Sequence, residues 1–220
     1  EACGIITLGL TSDMDQTLVD DALKPLDTEL AGFELKDYRL LGTKDFTVEA
    51  NWKLVTDLSL ESYHFHTLHR DSVAEILSAG ATVDTFDRHS RWAFPMKTIA
   101  RLAELALSEW PDAVEGSITY TLYPGVMVLV NSLGAQMIRA EPGATPDTCR
   151  VSYRGLYRPD CDEEDARAAY EFGGGVFENE DLPAAAASQR GIAARGGVLP
   201  LGRNEPLLQF WHKLWRSALK

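Results

Sequence analysis

The chain has 220 residues, of which 45% are hydrophobic and 25% charged, and its formal net charge is −12 at pH 7. This composition is typical of a globular protein with a buried core, and the anionic charge argues against a nucleic-acid partner. No apolar run approaches the roughly 18 residues of a membrane span and no secretory signal is recognisable, so we expect no membrane association.

The first third of the chain predicts short helices followed by a strand. Residues 13–30 have the composition of short helical pieces around Pro25. After Gly42, apolar and polar residues alternate, which predicts a strand that enters a helix near Asn51. The apolar positions of this strand are Phe46, Val48 and Ala50.

The middle of the chain predicts an antiparallel meander. Residues 83–97 carry strand-like aromatic side chains, and residues 98–110 have apolar side chains at helical spacing. The positions on that apolar helix face are Ile99, Leu102, Leu105 and Ala106. Four short segments rich in β-branched and aromatic residues follow between glycine and proline turns: SITYTLYP, GVMVLVNS, AQMIRAEP and CRVSYRGLYRP.

The end of the chain predicts helices. Residues 162–172 and 180–195 are helical in composition, and a last helix is expected to pack on the sheet. The apolar face of that last helix comprises Leu207, Leu208, Trp211, Leu214 and Trp215. The order helix, meander, helix predicts an α+β fold in which helices cover one face of a twisted antiparallel sheet.

A cluster of histidines suggests a metal site. The stretch ESYHFHTLH contains three of the five histidines: His64, His66 and His69. Imidazole is the commonest side-chain metal ligand and suits iron, zinc, nickel and copper. His64 and His69 are five positions apart, which is roughly 140° of rotation on a helix. They converge on one ion only if the helix ends or bulges between them.

Two histidines do not complete a metal site, so a third ligand must come from another segment. A carboxylate would complete the set that leaves open positions on Fe(II), but composition alone does not choose among so many acidic residues. The competing interpretation is that these histidines are solvated side chains on a surface turn. We expect His66 to be a bystander and the isolated His89 and His212 to be structural.

Three segments resemble one known family. The sequence NWKLVTDLSLESYHFHTLH at residues 51–69 closely resembles the iron-binding segment of the catalytic domain of Rieske non-heme iron oxygenases, the ring-hydroxylating oxygenase alpha-subunit family. NEDLPAAAASQRGI at residues 179–192 resembles the segment with the carboxylate ligand, and LGRNE at residues 201–205 resembles the C-terminal end. The resemblance runs from about residue 3 to residue 220.

The resemblance implies both a fold and a site. The fold is the helix-grip (START/Bet v 1-like) fold, in which a curved antiparallel sheet surrounds a long C-terminal helix, and residues 1–220 form a single mononuclear-iron catalytic domain. The resemblance makes His64 and His69 the imidazole ligands of Fe(II) and Asp181 the carboxylate ligand, with its neighbour Glu180 as the rival. It makes Glu61 the carboxylate that bridges a neighbouring subunit's Rieske cluster and His64.

The motif departs from the family pattern at three positions. The bridging residue is often aspartate, and the glutamate form at Glu61 looks like the branch that includes monooxygenases acting on quaternary amines such as choline and carnitine. Asp57 and Leu58 stand where many members have a Glu-Asn pair. These differences concern the surroundings of the site, while the expected ligand set is retained.

The cysteines do not provide an iron–sulfur cluster. The three cysteines, Cys3, Cys149 and Cys161, are widely spaced, and neither C-x-H nor C-x-x-C occurs. The family's [2Fe–2S] cluster is therefore expected on a missing Rieske domain of a longer protein or on a separate chain. Without a disulfide framework, the cytoplasm is the expected compartment.

The resulting hypothesis is an oxygenase in which Fe(II) activates O2 to hydroxylate or dihydroxylate an aromatic or small organic substrate, with quaternary amines included. The resemblance implies electrons from a Rieske cluster, a reductase or ferredoxin donor, and a homotrimer for the full-length protein. The apolar cavity is expected to be lined by residues 92–96 and 122–130. Two alternatives stay open: a binding module for an apolar ligand with His64 and His69 apart, and a zinc hydrolase.

Overall fold

The N-terminal region is helical, as the sequence predicts. The computed structural model of the protein describes residues 1–6, 16–78, 80–110, 115–196 and 198–218, so residues 13–15 of the predicted helical region lie outside it. The described pieces are helices α1 (Gln16–Leu23) and α2 (Asp27–Gly32) and the 3-10 turns Lys24–Leu26 and Leu35–Asp37. Proline lacks the N–H that continues a helix, which accounts for the break at Pro25 between α1 and α2.

A seven-stranded antiparallel sheet forms the centre of the fold. Its strands are β1 (Arg39–Val48), β2 (Thr82–Phe86), β3 (His89–Pro95), β4 (Gly116–Leu122), β5 (Val126–Val130), β6 (Gly134–Pro142) and β7 (Cys149–Tyr157). Their spatial order is β1-β7-β6-β5-β4-β3-β2. Strands β4 to β7 form the predicted meander, β3 and most of β2 fall in the residues predicted to be strand-like, and β1 is the edge strand beside β7. The curved sheet and the C-terminal helix confirm the predicted α+β, helix-grip fold.

Helices follow β1 and β7. They are α3 (Trp52–Leu58), α4 (Val73–Ile76), α5 (Glu163–Val176), α6 (Leu182–Arg195) and α7 (Pro206–Ala218). Asn51 caps α3 by accepting a 3.0 Å hydrogen bond from the N–H of Lys53, so the strand-to-helix change falls where the sequence predicts it. Among the described residues, no helix is both long enough and apolar enough to cross a membrane.

The helix predicted over residues 98–110 is instead two 3-10 segments, Lys97–Glu104 and Leu107–Glu109. The first ends because Leu105 has an extended backbone, with φ −99° and ψ 150°. A 3-10 helix has three residues per turn, so Ile99 and Leu102 share a side, whereas Leu105 lies beyond the helix and is 44% exposed. The predicted apolar face is therefore only partly buried.

Both faces of the sheet are covered, in contrast to the single covered face that the sequence predicts. On one face, buried residues of β1, β6 and β7 pack with residues of α3, α5 and α6. On the other face, Tyr120, Val128 and their neighbours pack against Leu26 and Leu30 of the N-terminal region. The central strand β5 carries apolar side chains on both faces, and both of its faces therefore require a cover.

Helix α7 packs at the β2–β3 end of the sheet with its predicted apolar face inward. Trp211 is fully buried, and its indole N–H donates a 2.8 Å hydrogen bond to the hydroxyl of Ser90 on β3. Trp215 is also buried and donates to the carbonyl of Pro124 at 3.3 Å. Burial of two indoles whose N–H groups are both satisfied anchors the C-terminal helix to the sheet.

Candidate metal centre

His64 and His69 converge because the chain leaves helical geometry between them. His64 lies in a 3-10 turn, Tyr63–His66, that ends two residues before Leu68. The carbonyl of His64 accepts hydrogen bonds from the N–H groups of Thr67 at 3.0 Å and Leu68 at 2.6 Å, which folds the chain back sharply. The two imidazole rings then lie 4.8 Å apart between centroids. The turn supplies the helix end that the spacing of these histidines requires.

Asp181 occupies a widened turn inside one long helical run. Helices α5 and α6 are joined by a π-helical turn, Phe177–Asp181, in which the N–H of Leu182 donates to the carbonyl of Phe177 five residues earlier. Pro183 accounts for this turn, because its ring would clash with the carbonyl four residues before it in a regular α-helix. Asp181 therefore sits within a continuous helical run, at the last residue of the widened turn.

The three predicted ligand side chains meet at one point. The ligand atoms of His64, His69 and Asp181 all lie within 4.8 Å of one another. The Nε2 atom of His69 is 3.1 Å from Oδ1 of Asp181, and Nε2 of His64 is 3.9 Å from the same oxygen. The side chains are 12%, 3% and 14% exposed, respectively, so the cluster is largely removed from water.

Two further carboxylates occupy the outer nitrogens of the histidines. Oε1 of Glu61 lies 2.5 Å from Nδ1 of His64, and Oε2 of Glu180 lies 2.7 Å from Nδ1 of His69. Glu180 also accepts a 2.9 Å hydrogen bond from the hydroxyl of Ser72. Glu180, the rival candidate for the carboxylate ligand, thus lies on the outer side of His69. No pattern in the sequence pointed to Ser72.

These contacts shift two pKa values. Burial by itself would raise the pKa of Glu61, but hydrogen bonds from His64 and from the N–H of Tyr63 outweigh it and lower that pKa. Burial would lower the pKa of His69, but the adjacent Asp181 and Glu180 outweigh it and raise that pKa. Both shifts favour the charged forms, as is usual for an acidic cluster that contains imidazoles.

The donor set fits a divalent transition metal. A carboxylate that accepts the Nδ1 proton of each imidazole leaves the Nε2 lone pair available, and both Nε2 atoms face Asp181. Two imidazole nitrogens and one carboxylate oxygen suit iron, and the same atoms also permit zinc. Within the described residues, this is the one group of histidines, cysteines and carboxylates with the spacing of a metal site.

A cavity of about 330 Å³ opens beside this cluster. Its walls are mostly apolar, and they include both histidines and Asp181 together with side chains of β3, β5 and β6 and of helix α5. This volume is within the usual range of small-molecule sites, roughly 300–1,000 Å³. The metal-site cluster therefore forms part of the wall of a ligand-sized cavity.

The predicted cavity lining is correct for one range and mostly wrong for the other. The lining residues within the two predicted ranges, 92–96 and 122–130, are Trp92, Phe94, Met96 and Leu129. In β5, Val128 and Val130 point to the opposite face and pack with the N-terminal helices. Alternation along a strand sends only every second side chain to the cavity, and the sequence did not show which set faced it.

The similarity of the chain to known proteins decides its family. Residues 33–220 match the family model of the ring hydroxylating alpha subunit (catalytic domain). The chain belongs to this family. The family that the sequence resembles, the ring-hydroxylating oxygenase alpha subunits, is thereby confirmed. No curated protein sequence matches the chain.

Solved structures of Rieske oxygenases share the fold. The quaternary ammonium Rieske monooxygenase CntA with an inhibitor has a TM-score of 0.77 at 19% identity, over 95% of this chain and 57% of its own. Dicamba monooxygenase has a TM-score of 0.58 at 13% identity, over 82% of this chain and 59% of its own. NdmB of Pseudomonas putida CBB5 has a TM-score of 0.55 at 16% identity, over 83% of this chain and 52% of its own. At these identities the likeness establishes the fold alone. The chain matches a little over half of each neighbour's length.

The remaining three histidines of the chain are not among the candidate ligands. His66 is exposed. His89 is buried, its Nε2 lies 2.8 Å from the carbonyl of Ala22, and its Nδ1 accepts the N–H of Tyr123 at 3.1 Å. His212 of α7 contacts Asp57 of α3, with Nε2 3.0 Å from Oδ1. The last two link secondary-structure elements.

The two residues that depart from the family's Glu-Asn pattern have different surroundings. Burial raises the pKa of Asp57, although its contact with His212 opposes that rise. Leu58 lines the cavity instead. The departure at Asp57 therefore contributes to packing between α3 and α7, and the departure at Leu58 adds apolar surface to the cavity.

Proposed function

We propose that this chain is the mononuclear-iron domain of an oxygenase, with His64, His69 and Asp181 as the ligands of Fe(II). The observation that carries the proposal is the convergence of these three side chains on the wall of a ligand-sized cavity, in a chain of the ring-hydroxylating family. Residues 1–220 act as one domain in this proposal. Bound iron would supply the activation of O2 for insertion into an organic substrate.

The residues around the ligands hold them in the required state. Glu61 and Glu180 accept the Nδ1 protons of His64 and His69, which keeps each ring in one tautomer and orientation. Ser72 fixes Glu180 in turn. The apolar cavity wall positions a substrate next to the ligands and limits the access of water.

Electrons come from outside these 220 residues in this proposal. No cluster-ligating cysteine pattern occurs in the chain, so a Rieske [2Fe–2S] cluster on a further domain or a separate chain would supply them, reduced by a ferredoxin or reductase. Glu61, with its side chain 15% exposed, would bridge that cluster and His64. A homotrimer of the full-length protein would bring a neighbouring subunit's cluster to this surface.

The reaction would be hydroxylation or dihydroxylation of an aromatic or small organic compound, with quaternary amines among the candidates. The cavity's lining and volume support a small organic substrate. The three cysteines are free, which supports a reducing compartment such as the cytoplasm.

The two alternatives have weaker support. The binding-module hypothesis predicts His64 and His69 apart, whereas their rings lie 4.8 Å apart and face a carboxylate. A hydrolytic zinc enzyme needs a general base beside the metal. Among the residues that line the cavity, the only histidines and carboxylates are the three candidate ligands themselves. The oxygenase proposal therefore stands ahead of both.

Iron loading of the purified chain tests the ligand assignment. We expect one Fe(II) per chain after anaerobic reconstitution, and a loss of most of this iron in His69→Ala, because two remaining ligands hold the ion poorly. The measurement is elemental analysis after gel filtration, with circular dichroism to show that the variant is folded. His66→Ala is the matched control, since His66 is exposed three residues away, and it should retain full iron. Equal iron in His69→Ala and His66→Ala would refute the assignment.

A further inference from the structure

The cavity contains an unused hydrogen-bonding site at a distance from the candidate ligands. The hydroxyl of Tyr153 on β7 is fully buried and has no hydrogen-bond partner among the described residues. Tyr153 is 1% exposed and lines the cavity. A buried hydroxyl without a partner costs roughly 1–3 kcal/mol, so this group calls for an explanation.

The amide of Gln136 lies beside this hydroxyl. A Cβ atom built on Gly173 of α5 would be 2.9 Å from Nε2 of Gln136 and 3.0 Å from the hydroxyl oxygen of Tyr153, so both polar groups approach one point. Gln136 also lines the cavity. Only a glycine leaves this space open, because any side chain at residue 173 would press on both groups. We name Gln136 and Tyr153 the polar pair.

The polar pair lies at a distance from the candidate ligand Asp181. Gly173, beside the polar pair, and Asp181 belong to one helical run. Gly173 precedes Asp181 by eight residues, which corresponds to about 12 Å at 1.5 Å per residue. Gln136 is paired with Leu129 across the sheet, Leu129 with Thr119, and Thr119 with Trp92. All four residues of this row line the cavity, so one continuous wall extends from the polar pair to the aromatic residues of β3.

The described part of the cavity wall offers no charged partner at the polar pair. Apart from the candidate ligands, the described lining residues include no lysine, arginine, glutamate or aspartate. Burial raises the pKa of the Tyr153 hydroxyl, which therefore stays a neutral donor and acceptor. A carboxylate or ammonium group placed here would lose its hydration without gaining an opposite charge.

We propose that the polar pair is a substrate anchor, and that the cavity takes a neutral, largely apolar molecule with one hydroxyl or carbonyl group at the end remote from the metal cluster. This inference rests on the proposed oxygenase function and deepens it by naming the substrate class. Tyr153 and Gln136 hold the polar end, and the apolar body extends along the wall towards His69 and Asp181. The anchor thereby narrows the candidate substrates of the proposed function, because a quaternary amine or a zwitterion with a carboxylate would be a poor ligand of such a cavity.

Four probes of similar size and different polarity test the anchor: 2-naphthol, naphthalene, 2-naphthoate and 1-naphthylmethyl-trimethylammonium. Calorimetric titration of the whole metal-free chain gives each Kd. We expect 2-naphthol to bind at least tenfold more tightly than either charged probe. Tyr153→Phe and Gln136→Leu should each weaken the binding of 2-naphthol by about tenfold and leave the Kd of naphthalene unchanged within twofold. The reason is that only 2-naphthol has a hydroxyl group that can form hydrogen bonds with the polar pair.

The matched control removes a tyrosine hydroxyl from the same strand outside the cavity. Tyr157 donates a 2.9 Å hydrogen bond to Glu163, and Tyr157→Phe should leave all four Kd values unchanged. The thermal midpoint of Tyr153→Phe should be no lower than that of the unaltered chain, because the lost hydroxyl has no partner in the empty cavity. A merely structural Tyr153 would instead lower the midpoint and leave the ratio of the 2-naphthol and naphthalene affinities unchanged.

Several results would overturn the anchor. They are absence of 2-naphthol binding, tighter binding of a charged probe, and equal weakening of 2-naphthol and naphthalene by the variants. A further one concerns Trp92, whose indole N–H also lacks a partner in the cavity wall. If Trp92→Phe weakens the binding of 2-naphthol and Tyr153→Phe does not, the hydroxyl group binds near Trp92, and the polar pair is not the anchor. Binding to the metal-free chain is measured apart from iron loading, so failure of the anchor and failure of the iron assignment are distinguishable.

Discussion

At the scale of single residues, the acidic side chains beside the histidines orient the rings of two of the candidate ligands. Imidazole has two nitrogens, and a metal needs the unprotonated one. Glu61 and Glu180 each take one Nδ1 atom, so the Nε2 atoms of His64 and His69 are left to face Asp181. Neighbouring acidic residues in the sequence, Glu180 and Asp181, thereby have opposite positions around one imidazole.

Replacement of Glu180 tests its role as a positioning residue. Glu180→Ala should weaken Fe(II) binding by about tenfold or more, because His69 loses the partner of its Nδ1 proton. Competition with a chelator under anaerobic conditions measures this affinity. Glu178→Ala, which changes an exposed carboxylate of the same turn, should bind iron normally, and Glu180→Gln should recover part of the loss. A complete absence of bound iron in Glu180→Gln would point to Glu180 itself as a ligand.

His89 predicts a pH effect on stability. Its Nδ1 accepts an N–H from Tyr123 and its Nε2 donates to Ala22, so the folded state needs the neutral ring, and burial lowers its pKa. The unfolded chain takes up a proton near pH 6.5, so this group's contribution to stability is present above that pH and is lost as the pH falls below it.

We therefore expect the stability gap between the unaltered chain and His89→Gln to shrink by up to about 1 kcal/mol between pH 7.5 and 5.5. Urea unfolding at the two pH values measures this gap. His66→Gln, at an exposed histidine, should show no such change. A gap that stays constant with pH would show that His89 is not held neutral in the fold.

At the scale of elements, one long helical run determines the site. Helix α5, the π turn and α6 follow one another without a break, and Pro183 accounts for the widened turn that contains Asp181. The same run places Gly173 at the far end of the cavity. The packing of α5 against β7 therefore bears on the positions of both the candidate ligand Asp181 and the polar pair.

A pair of glycine variants tests this packing. A Cβ at Gly155 of β7 would lie 2.1 Å from the ring of Tyr170 in α5, so Gly155→Ala should destabilise the fold by about 1–3 kcal/mol. Gly175 of α5 has no atom within 4 Å of its Cβ position, so Gly175→Ala should stabilise by up to about 1 kcal/mol. Chemical denaturation measures both. Equal small effects would show that α5 does not rest on β7 as described.

At the scale of the whole molecule, the cavity exists because the two faces of the sheet are covered differently. The N-terminal helices pack on one face, whereas the other face, with α5, α4 and the turn that contains His64, surrounds a mostly apolar cavity of about 330 Å³. The charge of −12 lies outside this space, since the lining carries few charged groups. If the proposed anchor is correct, such a cavity selects its substrate by shape and hydrogen bonding.

Local patterns in the sequence were sufficient for most elements. Segments rich in β-branched and aromatic residues between glycine and proline turns predicted the meander. The apolar face of α7 was correct, and a strand-to-helix change was correctly expected near Asn51, because these signals depend on neighbouring residues. The helix over residues 98–110 was wrong, since apolar spacing there does not distinguish an α-helix from 3-10 turns. The resemblance of three short segments named the family, and two of these segments contain the candidate ligands His64, His69 and Asp181.

The sequence by itself therefore determined the order of most elements, the family and the identity of the candidate ligands. Only the tertiary structure decided which distant residues come into contact. The contact of Glu180 with His69 joins segments 111 positions apart. The polar pair joins β6 and β7 beneath α5, and covering of both sheet faces joins the N-terminal helices to β4 and β5. Such contacts depend on packing between distant segments, which no local period records.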